Sequence, residues 1–199
     1  ALSANSADKQ LTDQANINLA NTYRRQGRDV RAIETYEQVL SREFHAGLRI
    51  KQAMTLPVVY KDHLQINDIR NRLENELVKI ARTNLVVLDP ALEVASTNFF
   101  LAYQAKSNRV LQEKTAELML KACPALNFTA PHCEVSSFRG GKIKIGFISA
   151  YFRRHSIGRL MRGLIENLSK KEFEIFVLIP SKHDDPIARG IQGIADKVV

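Results

Sequence analysis

The spacing of apolar and polar positions changes its period once along this chain. From Asp13 to Leu40, "DQANINLANTYRRQGRDVRAIETYEQVL" sets Leu19, Ala20 and Tyr23 on one stripe and, beyond Gly27, Ala32, Ile33, Tyr36, Val39 and Leu40 on a second. Residues three and four apart share a helix face, so two amphipathic helices joined by a short glycine turn are predicted. "HAGLRIKQAM" keeps the helical period and ends before Pro57. In "INDIRNRLENELVKIA", Ile66, Ile69, Leu73, Leu77 and Ile80 line one stripe, which predicts a long helix starting near Asn67 or Asp68. "PALEVASTNFFLAYQAK" and "NRVLQEKTAELMLKACP" follow as helical segments, the second with Asn108 as its cap and Pro124 as its limit.

Periodicity is lost over "ALNFTAPHCEVSSFRGG", and the Gly140-Gly141 break marks a domain boundary. Beyond it "KIKIGFISA" reads as a strand, "SIGRLMRGLIENL" as an amphipathic helix and "FEIFVLIP" as a short, almost wholly apolar strand, which is a βαβ unit with parallel strands. "PIARGIQGIA" predicts another short helix and "KVV" the start of a third strand. The fold class is therefore mixed. A helical repeat-like part spans 1–56, a helical connector 57–125, a linker 126–141 and the start of an α/β domain 142–199. Two strands and a stub do not build a parallel sheet with both faces covered, so this α/β domain is expected to be incomplete.

Composition narrows the function classes. With 199 residues and 45% hydrophobic content the chain can bury a globular core. No apolar run approaches the roughly twenty residues of a membrane helix, and "ALSANSADKQ" has neither a signal segment nor a cleavage pattern, so a soluble, cytoplasmic protein without membrane partners is expected. Cys123 and Cys133 lack CxxC spacing and read as ordinary thiols, with no zinc site or disulfide framework. The net charge of +8 permits attraction to anions. Arg24, Arg25, Arg28, Arg31, Arg70 and Arg72 mostly alternate with acids, as solvated helix faces do. Only the segment with Arg139, Lys142, Lys144, Arg153, Arg154, Arg159 and Arg162 is one-sided, without a carboxylate. Nucleic-acid binding ranks last among the readings, because only Tyr151 and Phe152 interleave these charges as stacking platforms.

That basic segment contains "ISAYFRRHSIGRLMRGLI". Ligands of open α/β sheets bind beyond the carboxyl ends of the strands, where free amides at a helix start favour anions. Neither GxGxxG nor GxxxxGK[ST] occurs in the loop Ser149 to Ser156. Gly158 and Gly163 fall within the helix, where a missing side chain allows close contact with a sheet or a neighbouring helix. His155 precedes Ser156, the expected cap, which puts its imidazole at the cleft mouth. Imidazole suits proton transfer, or a hydrogen bond to a phosphate or hydroxyl. The plainer alternative is a structural or solvated imidazole, since no partner carboxylate lies in the motif. Arg153 and Arg154 have the same alternative. His45, His63, His132 and His183 read as surface or satisfied residues, and Tyr23, Tyr36, Phe99, Phe100 and Tyr103 as packing.

Two resemblances sharpen this picture. Ala20, Tyr23, Gly27, Ala32 and Tyr36 resemble the tetratricopeptide repeat, a unit that must stack on neighbours to bury its face. It is either the last repeat of an array or is capped by the helices that follow. "KIKIGFISAYFRRHSIGRLMRGLIENLSKKEFEIFVLIPSKHDD" resembles the opening of the catalytic region of O-linked N-acetylglucosamine transferases, bacterial and Spindly-like forms included. "FFLAYQAKSNRVLQEKTAELMLKACPAL" resembles the helical connector of the bacterial branch, and "GLRIKQAMTLPVVYKD" the end of its repeat array.

The resemblance implies a GT-B enzyme of two facing Rossmann-like domains that moves a sugar from a UDP-sugar, typically UDP-N-acetylglucosamine, to Ser or Thr hydroxyls of proteins guided along the repeat groove. It implies His155 as the active-site histidine, a base or a positioning group, with Arg153, Arg154, Ser156 and Arg159 as substrate-binding candidates. Arg159 stands where animal enzymes carry a second histidine, and Tyr151 where they carry an Asp. Nucleotide contacts would belong to the second Rossmann-like domain. The present chain alone is thus expected to be inactive, to hold no cofactor or metal, and to bind UDP weakly or not at all. A reading of a different class is a protein-protein interaction scaffold built on the repeat-like helices.

Overall fold

The computed structural model describes residues 2–134, 140–181 and 183–199, without the side chains of residues 2–7 and 132. Arg139, residues 135–139 of the predicted linker and the His132 side chain lie outside the described residues. The chain divides into two compact units, Ala1–Ala130 and Pro131–Val199.

The first unit opens with α1 (Leu2–Arg25) and α2 (Asp29–Leu40), which pack as a hairpin. Gly27 makes the turn at φ +73°, a left-handed conformation that suits glycine. Ala20, Ala32, Tyr36 and Val39 are fully buried between the two helices. The Tyr36 hydroxyl donates to Asn21 Oδ1 at 2.7 Å, so this buried polar group is satisfied. Leu19, expected on the buried stripe, is exposed, and Ile17 packs on the cluster instead. Leu48 of α3 (Ala46–Ala53) completes the cluster, so the helix that follows the pair covers its apolar face.

A second core gathers Ile50, Leu56, Leu73, Leu77, Val87, Leu101 and Leu118, and each such side chain removed from water contributes about 1.5–3 kcal/mol. Its central helix, α4 (His63–Ala81), starts a turn earlier than expected. Asp62 Oδ1 accepts the Gln65 backbone N–H at 2.8 Å, and Gln65 Oε1 accepts that of Lys61 at 2.7 Å, a two-way arrangement that satisfies free donors at the helix start. "PALEVASTNFFLAYQAK" is not one helix. It holds a single turn, α5 (Pro90–Glu93), and a 3-10 turn over Phe99–Gln104, with Ala95 and Ala105 left-handed at φ +46° and +51°. Ser96, Thr97 and Asn98 are weak helix formers. Two of them are taken up by distant side chains: Arg24 donates to Ser96 Oγ at 2.6 Å, and Asn98 donates to Thr115 Oγ1 at 2.8 Å.

Helix α6 (Arg109–Ala122) begins after Asn108 as predicted, but Asn108 does not cap it. Its amide accepts from Arg70 at 2.7 Å and donates to the Leu101 carbonyl at 3.1 Å. Arg70 also reaches Gln104 Oε1 at 2.8 Å and the Ser107 carbonyl, while Arg72 donates to the Thr55 carbonyl. These two arginines bridge elements, which corrects the expectation of solvated faces. Phe100 packs against the core, whereas Phe99 and Tyr103 are each 61% exposed. A 3-10 turn over Pro124–Asn127 ends this unit's regular structure.

The second unit contains α7 (Pro131–Glu134), β1 (Ile143–Ile148), α8 (Ser156–Glu166), β2 (Phe173–Leu178), α9 (Pro186–Ile194) and β3 (Lys197–Val198). The strands lie in the order β1-β2-β3 and both pairings are parallel, with Ile143 opposite Phe173 and Phe176 opposite Lys197. Phe152, Ile165, Ile175, Val177 and Ile191 form the buried centre, joined by Phe147, Met161 and Ile187. Both helices therefore pack on one face of the sheet. Side chains alternate across a strand, so Lys144, Ile148, Glu174, Phe176 and Leu178 lie on the other face, where Ile148 is 69% exposed. The three strands, α8 and α9 stand where the apolar pattern predicted them, whereas the single turn α7 lies in the segment predicted as linker.

Candidate functional site

The loop after β1 runs from Ser149 to His155 and ends at α8. Its backbone is anchored by Phe152, 2% exposed and buried in the core of the second unit. Phe152 is thus part of the core and no stacking platform for a nucleic-acid base. Tyr151 and Arg153 flank it on the outer side, with the Arg153 Cζ 5.6 Å from the centre of the Tyr151 ring. The Tyr151 ring also lies 4.7 Å from the His155 ring at an interplanar angle of 30°.

His155, rather than Ser156, is the N-cap of α8. Its Nδ1 accepts the Ile157 backbone N–H at 3.2 Å, and Ser156 is the first helical residue, with Oγ 3.5 Å from the same nitrogen. The consequence is chemical. An amide N–H can only donate, so Nδ1 carries no proton in this arrangement and the neutral ring holds its proton on Nε2. Nε2 has no hydrogen-bond partner among the described residues and is the ring's remaining polar edge. The half-buried imidazole is therefore set up as a hydrogen-bond donor, and its lone-pair nitrogen is spent on the helix.

Gly158 allows this loop to lie against the first turn of α8. A Cβ at that position would sit 2.2 Å from the Arg153 carbonyl oxygen and 3.0 Å from the Tyr151 carbonyl oxygen. The close approach is to the preceding loop, not to a sheet or neighbouring helix, and Gly163 has nothing within 4 Å of an added Cβ.

The remaining predicted residues divide in role. Arg153 is half-buried and its Nε is buried without a hydrogen-bond partner. Arg154 is exposed, and its backbone N–H donates to Asp185 Oδ2 at 3.0 Å. Arg159 is exposed on α8, and Arg162 pairs with Glu166 at 3.8 Å. The basic segment has no carboxylate in sequence, yet folding brings Asp185 to it. Asp185 also caps α9, its Oδ1 accepting from Ile187 at 2.9 Å and Ala188 at 3.1 Å. The Arg154 N–H, followed by those of Ala188 and Ile187, holds its carboxyl below the usual aspartate range. Asp185 and the contacts of the Tyr151 ring with His155 and Arg153 escaped the sequence reading. Asp185 had a legible signal, an Asp directly before a Pro at the first helical position.

No family model matches the chain, and no curated protein does. Among solved structures it is similar to the K341M mutant of the O-GlcNAc transferase of Thermobaculum terrenum, with a TM-score of 0.39 and 12% sequence identity. The match covers 96% of this chain and 41% of that one, so the chain spans less than half the length of that enzyme. A likeness of that size carries no inference about activity. Among the described residues no helix is long and apolar enough to cross a membrane, and no group of three or more His, Cys, Asp or Glu is placed to hold a metal ion. Cys123 is buried and Cys133 exposed, both as free thiols.

Proposed function

We propose that this chain forms part of a glycosyltransferase that moves N-acetylglucosamine from a UDP-sugar to Ser or Thr hydroxyls of proteins, the helical unit guiding the acceptor. Residues 142–199 would then begin the first Rossmann-like half of a GT-B enzyme, and the second half would supply the nucleotide contacts. The observation that supports this reading most is His155, at the carboxyl end of β1, with Nδ1 engaged and Nε2 free. On this reading Nε2 donates to a substrate oxygen and positions it, and a proton acceptor for the attacking hydroxyl comes from elsewhere. Arg153, Arg154, Ser156 and Arg159 lie within four residues of His155 in sequence and, on this reading, would meet phosphate or sugar oxygens.

The test uses the enzyme that contains this chain, with transfer to a Ser/Thr peptide read by mass spectrometry. His155→Asn keeps an oxygen where Nδ1 stands, and Asn is among the best N-caps, so α8 is retained while the Nε2 donor is lost. Transfer is expected to fall by about 100-fold or more for loss of a transition-state donor, in His155→Asn and His155→Ala alike. Unchanged turnover in a folded His155→Asn enzyme would refute the positioning role. Transfer by the 199 residues alone would refute the division of the site between two halves.

A further inference from the structure

The first unit carries a groove of about 610 Å³ that the transferase reading does not use. Its walls include Arg24 and Arg25 from the last turn of α1, Ser96 from the loop after α5, and Phe99 and Phe100. No carboxylate is among its lining residues. Arg24 is fixed there by its 2.6 Å bond to Ser96 Oγ, so one guanidinium is already oriented. Phe99 meets Phe100 and Tyr103 edge-on, at ring-centre distances of 5.9 and 5.6 Å, yet remains 61% exposed. An apolar surface held in place and left wet suits a contact surface.

We propose that this groove binds an acidic peptide segment carrying an apolar side chain, with its carboxylates on Arg24 and Arg25 and its apolar group on Phe99 and Phe100. Charge complementarity selects this occupant: two arginines without a lining carboxylate would repel a basic partner, and the ring surface adds what a bare anion would not use. The site stands independently of the transferase reading.

The test is fluorescence anisotropy of the full chain with a labelled, capped peptide of sequence DEFDE, against its amide counterpart NQFNQ. Binding is expected for the acidic peptide, at least about tenfold tighter than for the amide one and weakened by salt. Arg25→Glu should cost about tenfold or more and Phe99→Ala several-fold, both at exposed positions where folding is retained. Equal binding of the two peptides, no binding of DEFDE, or indifference to both exposed substitutions would overturn the proposal. Tighter, Phe99-independent binding of inorganic phosphate or a labelled single-stranded RNA would overturn it in favour of a plain anion site.

Discussion

Substituting alanine for glycine at two positions of α8 should move stability in opposite directions. In a helix interior this change ordinarily gains about 0.5–1 kcal/mol, because alanine has less backbone freedom to lose. Gly163 is exposed and an added Cβ there meets nothing within 4 Å, so Gly163→Ala should gain that amount. At Gly158 the same methyl would sit 2.2 Å from the Arg153 oxygen and 3.0 Å from both the Arg153 nitrogen and the Tyr151 oxygen. All three are backbone atoms, and they belong to a loop held at Phe152 by the core and at Arg154 by Asp185. Relief requires a shift of roughly an ångström in that backbone, and overpacking of this kind costs about 1–3 kcal/mol.

Native-state hydrogen exchange reads this difference in the full chain, because the amides of Ile175 and Val177 in β2 report on the second unit alone. At about 1.4 kcal/mol per tenfold, Gly158→Ala should speed their exchange by about 5- to 140-fold, and Gly163→Ala should slow it by about two- to fivefold. Equal or slower exchange in Gly158→Ala would refute the packing of loop against helix. Faster exchange in Gly163→Ala would refute the view that α8 is regular there.

Three further outcomes follow from single contacts. Arg70→Ala removes a guanidinium that joins α4 to Gln104, Ser107 and Asn108, and should lower the first unit's stability by about 1–3 kcal/mol, read as a lower urea midpoint. Ala105 is left-handed at φ +51°, so Ala105→Gly should raise that midpoint by up to about 1 kcal/mol in stability, and a lower midpoint would contradict the assigned backbone. Asp185 has its folded pKa depressed by the Arg154 N–H first, so its contribution is fully present above the unfolded aspartate value of about 3.9 and is lost as pH falls through the folded one. Wild-type chain should therefore lose more stability than Asp185→Asn between about pH 5 and pH 2, and parallel curves would exclude Asp185 as the tie.

Where one periodic pattern served one purpose, the sequence was readable. Ile175 and Val177 in an apolar run, and Leu73, Leu77 and Ile80 at helical spacing, are buried where the pattern put them. The misreadings share a physical cause, a polar side chain spent on a distant backbone or side-chain partner. Asp62 outcompetes Asn67 as a cap because Gln65 can answer it three residues on. Asn108 has the spacing of a cap, but its amide is drawn away by Arg70, thirty-eight residues distant in sequence. Ser96 and Asn98 break a segment that hydrophobicity alone would continue. At the site, the position of His155 was legible and its role was not, since a histidine cap looks in sequence like a histidine before a serine cap.

That substitution of cap for free imidazole changes what the loop can do. Four constraints meet within Tyr151–Gly158: Phe152 sunk in the core, the Arg154 backbone tied to Asp185, the Gly158 approach, and His155 Nδ1 bonded to Ile157. A side chain held by its own backbone's helix cannot swing to follow a moving proton, but it can present Nε2 from a fixed direction. Such fixation favours groups that stabilise charge or position an atom, because their geometry is set before the ligand arrives. The same loop keeps the Arg153 side chain beside Tyr151, with its Nε buried and without a hydrogen-bond partner. On the proposed reading His155 Nε2 would hold a substrate oxygen from that fixed direction, and a proton-accepting group would have to reach the oxygen from another side.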